Sequence, residues 1–494
     1  MSVLLEGSRS SVKLDLDRGH NEPLHQQIVR QVETLILSGE LPPGSGMPTE
    51  RHLASLLRIH RSTVTKAYEQ LRAAGLIHSV QGRGTFVADS MWDLQTNHFP
   101  RWSQYMSSGV FRPTISLLRK VHQLTPDPSY INLADGEVSL DLLPTAIMKE
   151  LLKGEDMASF MHYSDPRGER KFRQAIARHV QKQYGIEADE DEILVTSGGQ
   201  QAMHLITQCL LSSGDSIAIE CPSYHYSLPL FMSSGIRLLR IPVDQDGMIP
   251  SSLPELHRAH RIRMVITSPT YQNPTGVVLA KERRLELIRI CRGLSIPIVE
   301  DHTFSDIRLH GEAPPLPLIA NTGVEGSVLY FGSLSKSAAP GFRIGWIIGP
   351  RSVISRMADI KQQFDFGTSP LMQELTSRYL ESGGWSEQLE RIRAALSRNQ
   401  ETMLHALDRH LQGKAEWTRP GGGYHIWCRL LQPAAETSLL EEGIRQGVLM
   451  VPGRVYGAEA GYVRLSYARA NEGEIAEGIA RLARAVSIVA VGQR

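Results

Sequence analysis

Four cysteines, Cys209, Cys221, Cys291 and Cys428, are all that the 494 residues contain, and none stands in a C-x-x-C pair or beside histidine at zinc spacing. That argues against a disulfide framework and a structural metal and for reduced thiols. An excess of charge is lacking too: 53 Lys and Arg face 52 Asp and Glu, a net of +1. So even a balance gives no global attraction for nucleic acid or membrane, and any such surface must come from local clustering. No apolar run reaches the roughly 18 residues that span a bilayer. The opening MSVLLEGSRSS breaks its short apolar run with Glu6, unlike a secretion signal. The expectation is a cytoplasmic protein without a membrane partner. Also absent are G-x-x-x-x-G-K-[ST] and G-x-G-x-x-G, which removes the commonest nucleotide loops. What is present, 41% hydrophobic and 21% charged residues, suffices for a full core and excludes global disorder. At about 100 to 200 residues per domain, two to four domains are expected, large α/β enzymes being the exception.

Behind a polar leader, Leu24, Ile28, Val32, Leu35 and Ile36 recur at helical spacing, and Gly39 with Pro42-Pro43-Gly44 ends that helix. Thr49 is a good N-cap for a second helix with Leu53, Ala54, Leu56 and Leu57 on its apolar face. A third carries Val64, Ala67, Tyr68 and Leu71 and closes at Gly75. Two helices joined by the short R-I-H turn make a helix-turn-helix. The outward positions of the third helix are Arg61, Ser62, Thr65 and Lys66, residue types that reach phosphates and base edges in a major groove. Leu76 to Val80, the turn Gln81-Gly82-Arg83-Gly84 and Thr85 to Val87 read as a β-hairpin wing with Arg83 at its tip.

PTERHLASLLRIHRSTVTKAYEQLRAAGLIHSVQGRGTFVAD resembles the winged helix-turn-helix of GntR-type repressors over about Pro23 to Asp89. That resemblance implies a double-stranded DNA operator contacted by Arg51, Arg61, Thr63 and Thr65, with Gly82 and Arg83 in the wing. One position departs: His60 stands where the family has Ser or Thr, which predicts a weaker N-cap for the recognition helix. From 90 to 129 no strong period persists, Trp92, Trp102 and several prolines punctuate the stretch, and its one helical candidate is Ile115 to His122. It reads as an interdomain linker whose aromatic residues dock. The expected domains are therefore 20–89, the linker 90–129, and 130–494.

From Ile131 onward short apolar runs alternate with helical segments, the pattern of an α/β fold with a mostly parallel sheet. Ile193-Leu194-Val195 leads into TSGGQQ, Met264-Val265-Ile266 into TSPTYQNPTG, Ile296 to Val299 into Glu300-Asp301, and Ser327 to Phe331 into SLSKSAAPGFRIGW. Ligands of open α/β sheets bind beyond the carboxyl ends of strands, so these segments converge on one crevice. Lys336 is the lysine there, and a lysine amine forms Schiff bases with aldehydes. Ser333, Ser335 and Arg343 supply what a phosphate monoester wants, and the Gly198-Gly199 turn opens a helix whose N–H groups do the same. An aldehyde that also carries a phosphate is pyridoxal 5'-phosphate (PLP). Asp301 would keep its ring nitrogen protonated, Asn273 would donate to its phenolate oxygen, and Tyr224 would stack on the ring. Singly these residues have duller explanations, as a helix cap, a turn residue and core; jointly they do not.

At YSDPRGERKFR, TSGGQQ, CPSY, NPTG, the strand ending at Asp301, SLSK with Arg343, and YVRLSYA, the span from Ile131 to about Val486 resembles a fold-type I PLP-dependent aminotransferase. The resemblance implies Lys336 as the Schiff-base lysine and Gly199, Gln200, Ser333, Ser335 and Arg343 at the phosphate. It also implies Tyr163 reaching the phosphate of a neighbouring subunit, hence a homodimer, and Arg464 clamping the carboxylate of an amino-acid ligand. A GntR-like reader fused to such a domain is the arrangement of the MocR subfamily of regulators. The implied function is a PLP-dependent DNA-binding regulator that senses an amino compound through aldimine exchange; the alternative is an active aminotransferase with an accessory DNA-binding domain. The family carries a tyrosine shortly after its aspartate, whereas EDHTFSD has Thr303 and Phe304, so the residues leave transamination open.

Overall fold

The computed structural model describes residues 2–88 and 114–491, except 8–9, 18, 20–21, 38–40, 42–43, 81, 154–156, 325 and 433–435. Gly39, Pro42, Pro43, Gln81 and the part of the expected linker at 90–113 lie outside the described residues. Contacts divide the chain into two units, Met1–Gly109 and Val110–Arg494.

In the smaller unit, helix Leu24–Leu37 buries Ile28, Val32 and Ile36, one per turn. Helix Glu50–Leu57 starts at Thr49, whose hydroxyl accepts from the His52 N–H at 3.2 Å. Helix Arg61–Ala73 buries Val64, Ala67, Tyr68 and Leu71, and these stripes share one core with Leu53, Leu57 and Val87. The weak cap expected at His60 is filled by its ring: Nδ1 accepts from the Ser62 N–H at 3.4 Å and lies 2.7 Å from the Ser62 hydroxyl. Gly75 follows the helix at φ +67°, a left-handed turn that a side chain would strain. Strand Ile77–Val80 pairs antiparallel with Gly84–Val87, and Gly46–Met47 adds on the far side of the latter. The leader is more ordered than its composition implies: Ser2–Gly7 and Ser10–Asp15 form an antiparallel hairpin. Side chains of the first helix tie down the hairpin's end and the residues after it, since the Asp15 N–H donates to Gln31 Oε1 at 2.8 Å and the Asp17 N–H to Gln27 Oε1 at 3.0 Å. Such long-range amide bonds leave no periodic trace in sequence.

The larger unit is built on an eight-stranded mixed sheet. Its strand order is Gly247–Met248, Arg237–Asp244, Ser216–Cys221, Met264–Thr267, Ile298–Asp301, Val328–Ser333, Gly345–Ile348, Ile193–Thr196. The ladders from Arg237–Asp244 through Val328–Ser333 are all parallel. Gly345–Ile348 then runs antiparallel to both of its neighbours, and the short edge strand Gly247–Met248 is antiparallel as well. The strands Ile193–Thr196, at one edge of the sheet, and Met264–Thr267 and Val328–Ser333 within it are buried along their whole length, which is why they read as continuous apolar runs rather than alternating ones. A second sheet joins Ala415–Trp417, His425–Leu430, Tyr462–Ser466 and Val451–Pro452, all antiparallel. The helices Gly384–Leu411 and Glu472–Val491 pack on each other beside it. The part of the expected linker from Thr114 onward belongs to this unit: helix Ser116–Leu124 buries Val121 and packs against Val451–Pro452. No helix among the described residues is long and apolar enough to cross a membrane.

One buried cation holds the loop that leads to Asn273. Arg284, 1% exposed, donates to the carbonyls of Leu279 (2.9 Å), Leu316 (3.1 Å) and Pro269 (2.7 Å) and to the Thr270 hydroxyl (2.8 Å). Leaving buried carbonyls without donors costs about 1 to 3 kcal/mol each. Arg284→Met is expected to lower unfolding free energy by roughly 3 to 5 kcal/mol, read as the urea midpoint of the full-length protein; a loss under about 1 kcal/mol contradicts this account.

Candidate functional site

The carboxyl ends of the parallel strands open into one cavity of about 530 Å³. Gly199, Gln200, Tyr224, Asn273, Asp301, Ser333, Ser335, Lys336, Arg343 and Arg464 all line it, although they are scattered over 266 positions of sequence from 199 to 464. Tyr163 is not among them. It is 84% exposed and its ring stands 5.3 Å from that of Phe366, which is also exposed.

Lys336 lies within the turn after Val328–Ser333, and its ammonium donates to the Gly136 carbonyl, 5.7 Å from the centre of the Phe304 ring and 5.9 Å from that of Tyr424. The Tyr424 hydroxyl in turn donates to the Lys336 carbonyl. Burial pushes this ammonium down to about 8; Arg464 adds to the shift, while Glu137, Asp135 and Asp301 oppose it. Asp301 is held on two sides. Its Oδ1 accepts from the Thr303 N–H (2.9 Å) and hydroxyl (2.5 Å), and its Oδ2 lies 3.5 Å from His225 Nε2. Thr303 thus orients the carboxyl that it follows, and Phe304 lines the same cavity. Burial keeps the His225 ring below its ordinary pKa, against the pull of Asp301.

At the helix N-terminus, Gly198 has φ +90°, and a Cβ there would come within 3.1 Å of Arg343 Nη2. A Cβ on Gly199 would stand 3.2 Å from the Phe331 ring. The glycines therefore let backbone N–H groups face the cavity beside a guanidinium, a cradle suited to a phosphate. Arg343 donates to the Ser197 carbonyl at 2.7 Å, Ser333 Oγ lies 3.0 Å from Ser335 Oγ, and Gln200 Nε2 donates to the Tyr224 hydroxyl at 3.3 Å. Across the cavity Arg464, 7% exposed, donates to Asn273 Oδ1 at 3.2 Å and to the Ala134 carbonyl, with Tyr456 under its guanidinium at 5.0 Å. An amine with a lowered pKa, a carboxyl, an amide, a phosphate cradle and a buried guanidinium form a donor set that fits a phosphorylated pyridine aldehyde together with a carboxylated amine.

Several cavity residues were not singled out in the sequence: His225, His425, Tyr456, Glu137, and Leu118, Val121 and His122 of helix Ser116–Leu124. His225 sits inside CPSYHY and was within reach, because it is the residue after Tyr224. Nothing in sequence brings residues 118–122 to Lys336.

On the smaller unit Arg51, Arg61, Ser62, Lys66, Gly82 and Arg83 are exposed and Thr63 and Thr65 half-buried. Glu50 organises the start of helix Arg61–Ala73. It accepts from the Thr65 hydroxyl (2.8 Å) and Arg72 (2.9 Å) and lies 3.7 Å from Arg61 Nη2. Against the burial that would raise it, these hydrogen bonds and the two arginine charges hold the Glu50 carboxyl below its usual range.

Residues 128–482 match the family Aminotransferase class I and II, and residues 24–87 match the gntR family of bacterial regulatory proteins. The uncharacterized HTH-type transcriptional regulator YdfD of Bacillus subtilis (strain 168) is 37% identical over 93% of this chain and 95% of its own. The corresponding values for YisV of the same organism are 36%, 94% and 96%. Aromatic-amino-acid aminotransferase 1 of Thermococcus litoralis is 31% identical, but over 78% of this chain and 94% of its own. Among solved structures, the multiple substrate aminotransferase of Thermococcus profundus superposes with a TM-score of 0.74 at 29% identity, covering 80% of this chain and 100% of that one. The kynurenine aminotransferase of Pyrococcus horikoshii does so with a TM-score of 0.73 at 30% identity, covering 81% and 99%. With a GntR-type winged helix-turn-helix ahead of a class I and II aminotransferase domain, and with regulators matching it along nearly its whole length, this chain belongs to the MocR-type transcriptional regulators.

Proposed function

We propose that the larger unit holds PLP and senses an amino compound whose amine takes the place of Lys336 on the cofactor, an aldimine exchange, and that this alters how the winged unit holds its operator. In this reading Asp301 serves the ring nitrogen, Asn273 the phenolate oxygen, Tyr224 the ring face, and Gly199, Gln200, Ser333, Ser335 and Arg343 the phosphate. When bound, PLP supplies an electrophilic carbon. The protein supplies an amine of lowered pKa at Lys336, an oriented carboxyl at Asp301 and a carboxylate clamp at Arg464. Arg51, Arg61, Ser62, Thr63, Thr65, Lys66, Gly82 and Arg83 face DNA, and a DNA partner puts the protein in the cytoplasm. The exposed Tyr163–Phe366 pair supports a homodimer, since exposed aromatic rings in contact are the kind of surface a second copy covers.

The observation that carries the reading is the position of helix Ser116–Leu124. Leu118, Val121 and His122 line the same cavity as Lys336 and Arg464, and the chain entering this helix comes from the DNA-binding unit. A ligand shifts a conformational equilibrium only through its different affinity for the two states, and a wall that is also the end of the linker gives it that opportunity. An active aminotransferase needs no such link, and the aminotransferase relative above matches 78% of this chain where the regulators match 93% and 94%.

The experiment is a titration of amino acids against labelled operator, with PLP-loaded wild-type, Lys336→Ala and Arg464→Ala proteins. Operator affinity of the wild type is expected to change with an effective amino acid. Arg464→Ala loses the response to carboxylated effectors, because removing one partner of a buried charge pair costs about 2 to 5 kcal/mol. If all three proteins respond alike, sensing does not pass through this cavity.

A further inference from the structure

Among the residues that line the cavity, three have a buried nitrogen with no hydrogen-bond partner among the described residues: His225 Nε2, Arg464 Nε and His425 Nε2. Two of them have local explanations. His225 Nε2 stands 3.5 Å from an Asp301 oxygen, and Arg464 donates through both of its other nitrogens. His425 has none, although its side chain is only 3% exposed. A buried nitrogen without a partner costs free energy that an apolar side chain would avoid.

The fold sets this nitrogen near both anchors that a ligand would use. His425 opens strand His425–Leu430, in which Trp427 pairs with Arg464 and His425 with Ser466. Residues two apart on a strand share a face, so His425 and Arg464 project from the same side of the second sheet. A Cβ on Gly136 would lie 3.5 Å from Lys336 Nζ and 3.6 Å from His425 Nε2, so the imidazole and the amine flank one backbone position. The Phe304 ring closes the third side at 5.3 Å, edge to face. Burial holds the imidazole well below its ordinary pKa, with Arg464 and Lys336 acting in the same direction; it is a neutral hydrogen-bonding group, not a charge.

In the reading proposed above, on which this inference rests, each polar group of the cofactor already has its residues. What remains for His425 is the ligand. We propose that His425 is a specificity-determining residue: its Nε2 hydrogen-bonds a polar group on the side chain of the sensed amino acid, so that the domain prefers α-amino acids bearing a hydroxyl, amide or carboxyl close to Cα over those with apolar side chains of the same shape. A site that leaves a buried polar group unpaired rejects the analogue lacking its partner.

The test uses full-length, PLP-loaded protein and near-isosteric pairs: serine with alanine, threonine with valine, asparagine with leucine. Affinity is read from the change in cofactor absorbance and, independently, from the shift in operator affinity. The wild type is expected to prefer the polar member of at least one pair by about tenfold or more. In His425→Phe, which keeps a flat ring and removes the nitrogen, that ratio is expected to fall to about one, while His425→Gln retains it. Melting temperatures report whether each variant is folded; if His425→Phe is not, His425→Leu takes its place. A wild type without polar preference, or a preference that survives in the folded variant lacking the nitrogen, overturns the assignment. So does a variant whose ligand-free cofactor spectrum is shifted, because the partner is then the cofactor. A wild type whose spectrum no amino acid perturbs overturns the sensing reading itself, and the role of His425 with it.

Discussion

Lys336→Ala is expected to leave a folded protein that forms no borohydride-reducible adduct with PLP, whereas the wild type forms one. Lys336 is the one lysine in the cavity wall among the described residues, so no other amine is placed to substitute. Its reactivity follows from its surroundings. An amine attacks an aldehyde only when neutral, and burial, with Arg464, brings this one down to about 8. About a tenth of it is then neutral at pH 7, against well under a thousandth for an ordinary lysine. Because the pKa is lowered, the rate of covalent capture by apo-protein should climb with pH through 6 and 7 and level off above about 8. A rate that keeps rising to pH 10 means that the amine is not desolvated, and a reducible adduct in Lys336→Ala means that another lysine carries the chemistry.

Arg61→Ala should cost the protein its operator without touching the cofactor. Arg61 opens the recognition helix, half exposed, and Glu50 sets its guanidinium in place from the preceding helix. Losing a good base contact costs about 1 to 3 kcal/mol, or about 5- to 150-fold in affinity. At matched salt, fluorescence anisotropy with specific DNA should show that loss, while binding to random DNA falls much less. Lys66→Ala provides the contrast. A phosphate contact weakens binding to all sequences alike and lowers the slope of log affinity against log salt by about one. The absorbance of PLP-loaded Arg61→Ala should match that of the wild type. Unchanged operator affinity would remove Arg61 from the groove.

Much of this molecule was legible because its information is local. Helix Arg61–Ala73 announced itself through Val64, Ala67, Tyr68 and Leu71, a stripe set by the 3.6-residue period, and Thr49 and Gly75 marked ends that hydrogen-bonding chemistry requires. The buried strands Ile193–Thr196, Met264–Thr267 and Val328–Ser333 are short apolar runs followed by polar, glycine-containing loops, and the rule that ligands gather at carboxyl ends was enough to assemble Asn273, Asp301 and Lys336 on paper. Each of these features depends on residues a few positions apart.

Sequence alone therefore determined the two architectures, the helix-turn-helix face and the set of residues around Lys336. Tertiary structure decided what lies against them. Gly345–Ile348 runs antiparallel between two strands of the main sheet, because pairing direction depends on where the chain returns and not on its composition. Gln31 pins the end of the hairpin at 2–15, and Gln27 holds Asp17 just after it, through backbone groups that any sequence would offer. Helix Ser116–Leu124 faces the cavity because Val451–Pro452, more than 300 positions later, is there to pack against. His425 becomes a ligand-facing group only because the second sheet brings its strand beside Arg464 and Gly136 comes up between it and Lys336. A histidine among G-G-G-Y-H-I-W has no period and no motif; its unpaired nitrogen exists only once the surrounding chain has excluded water from it.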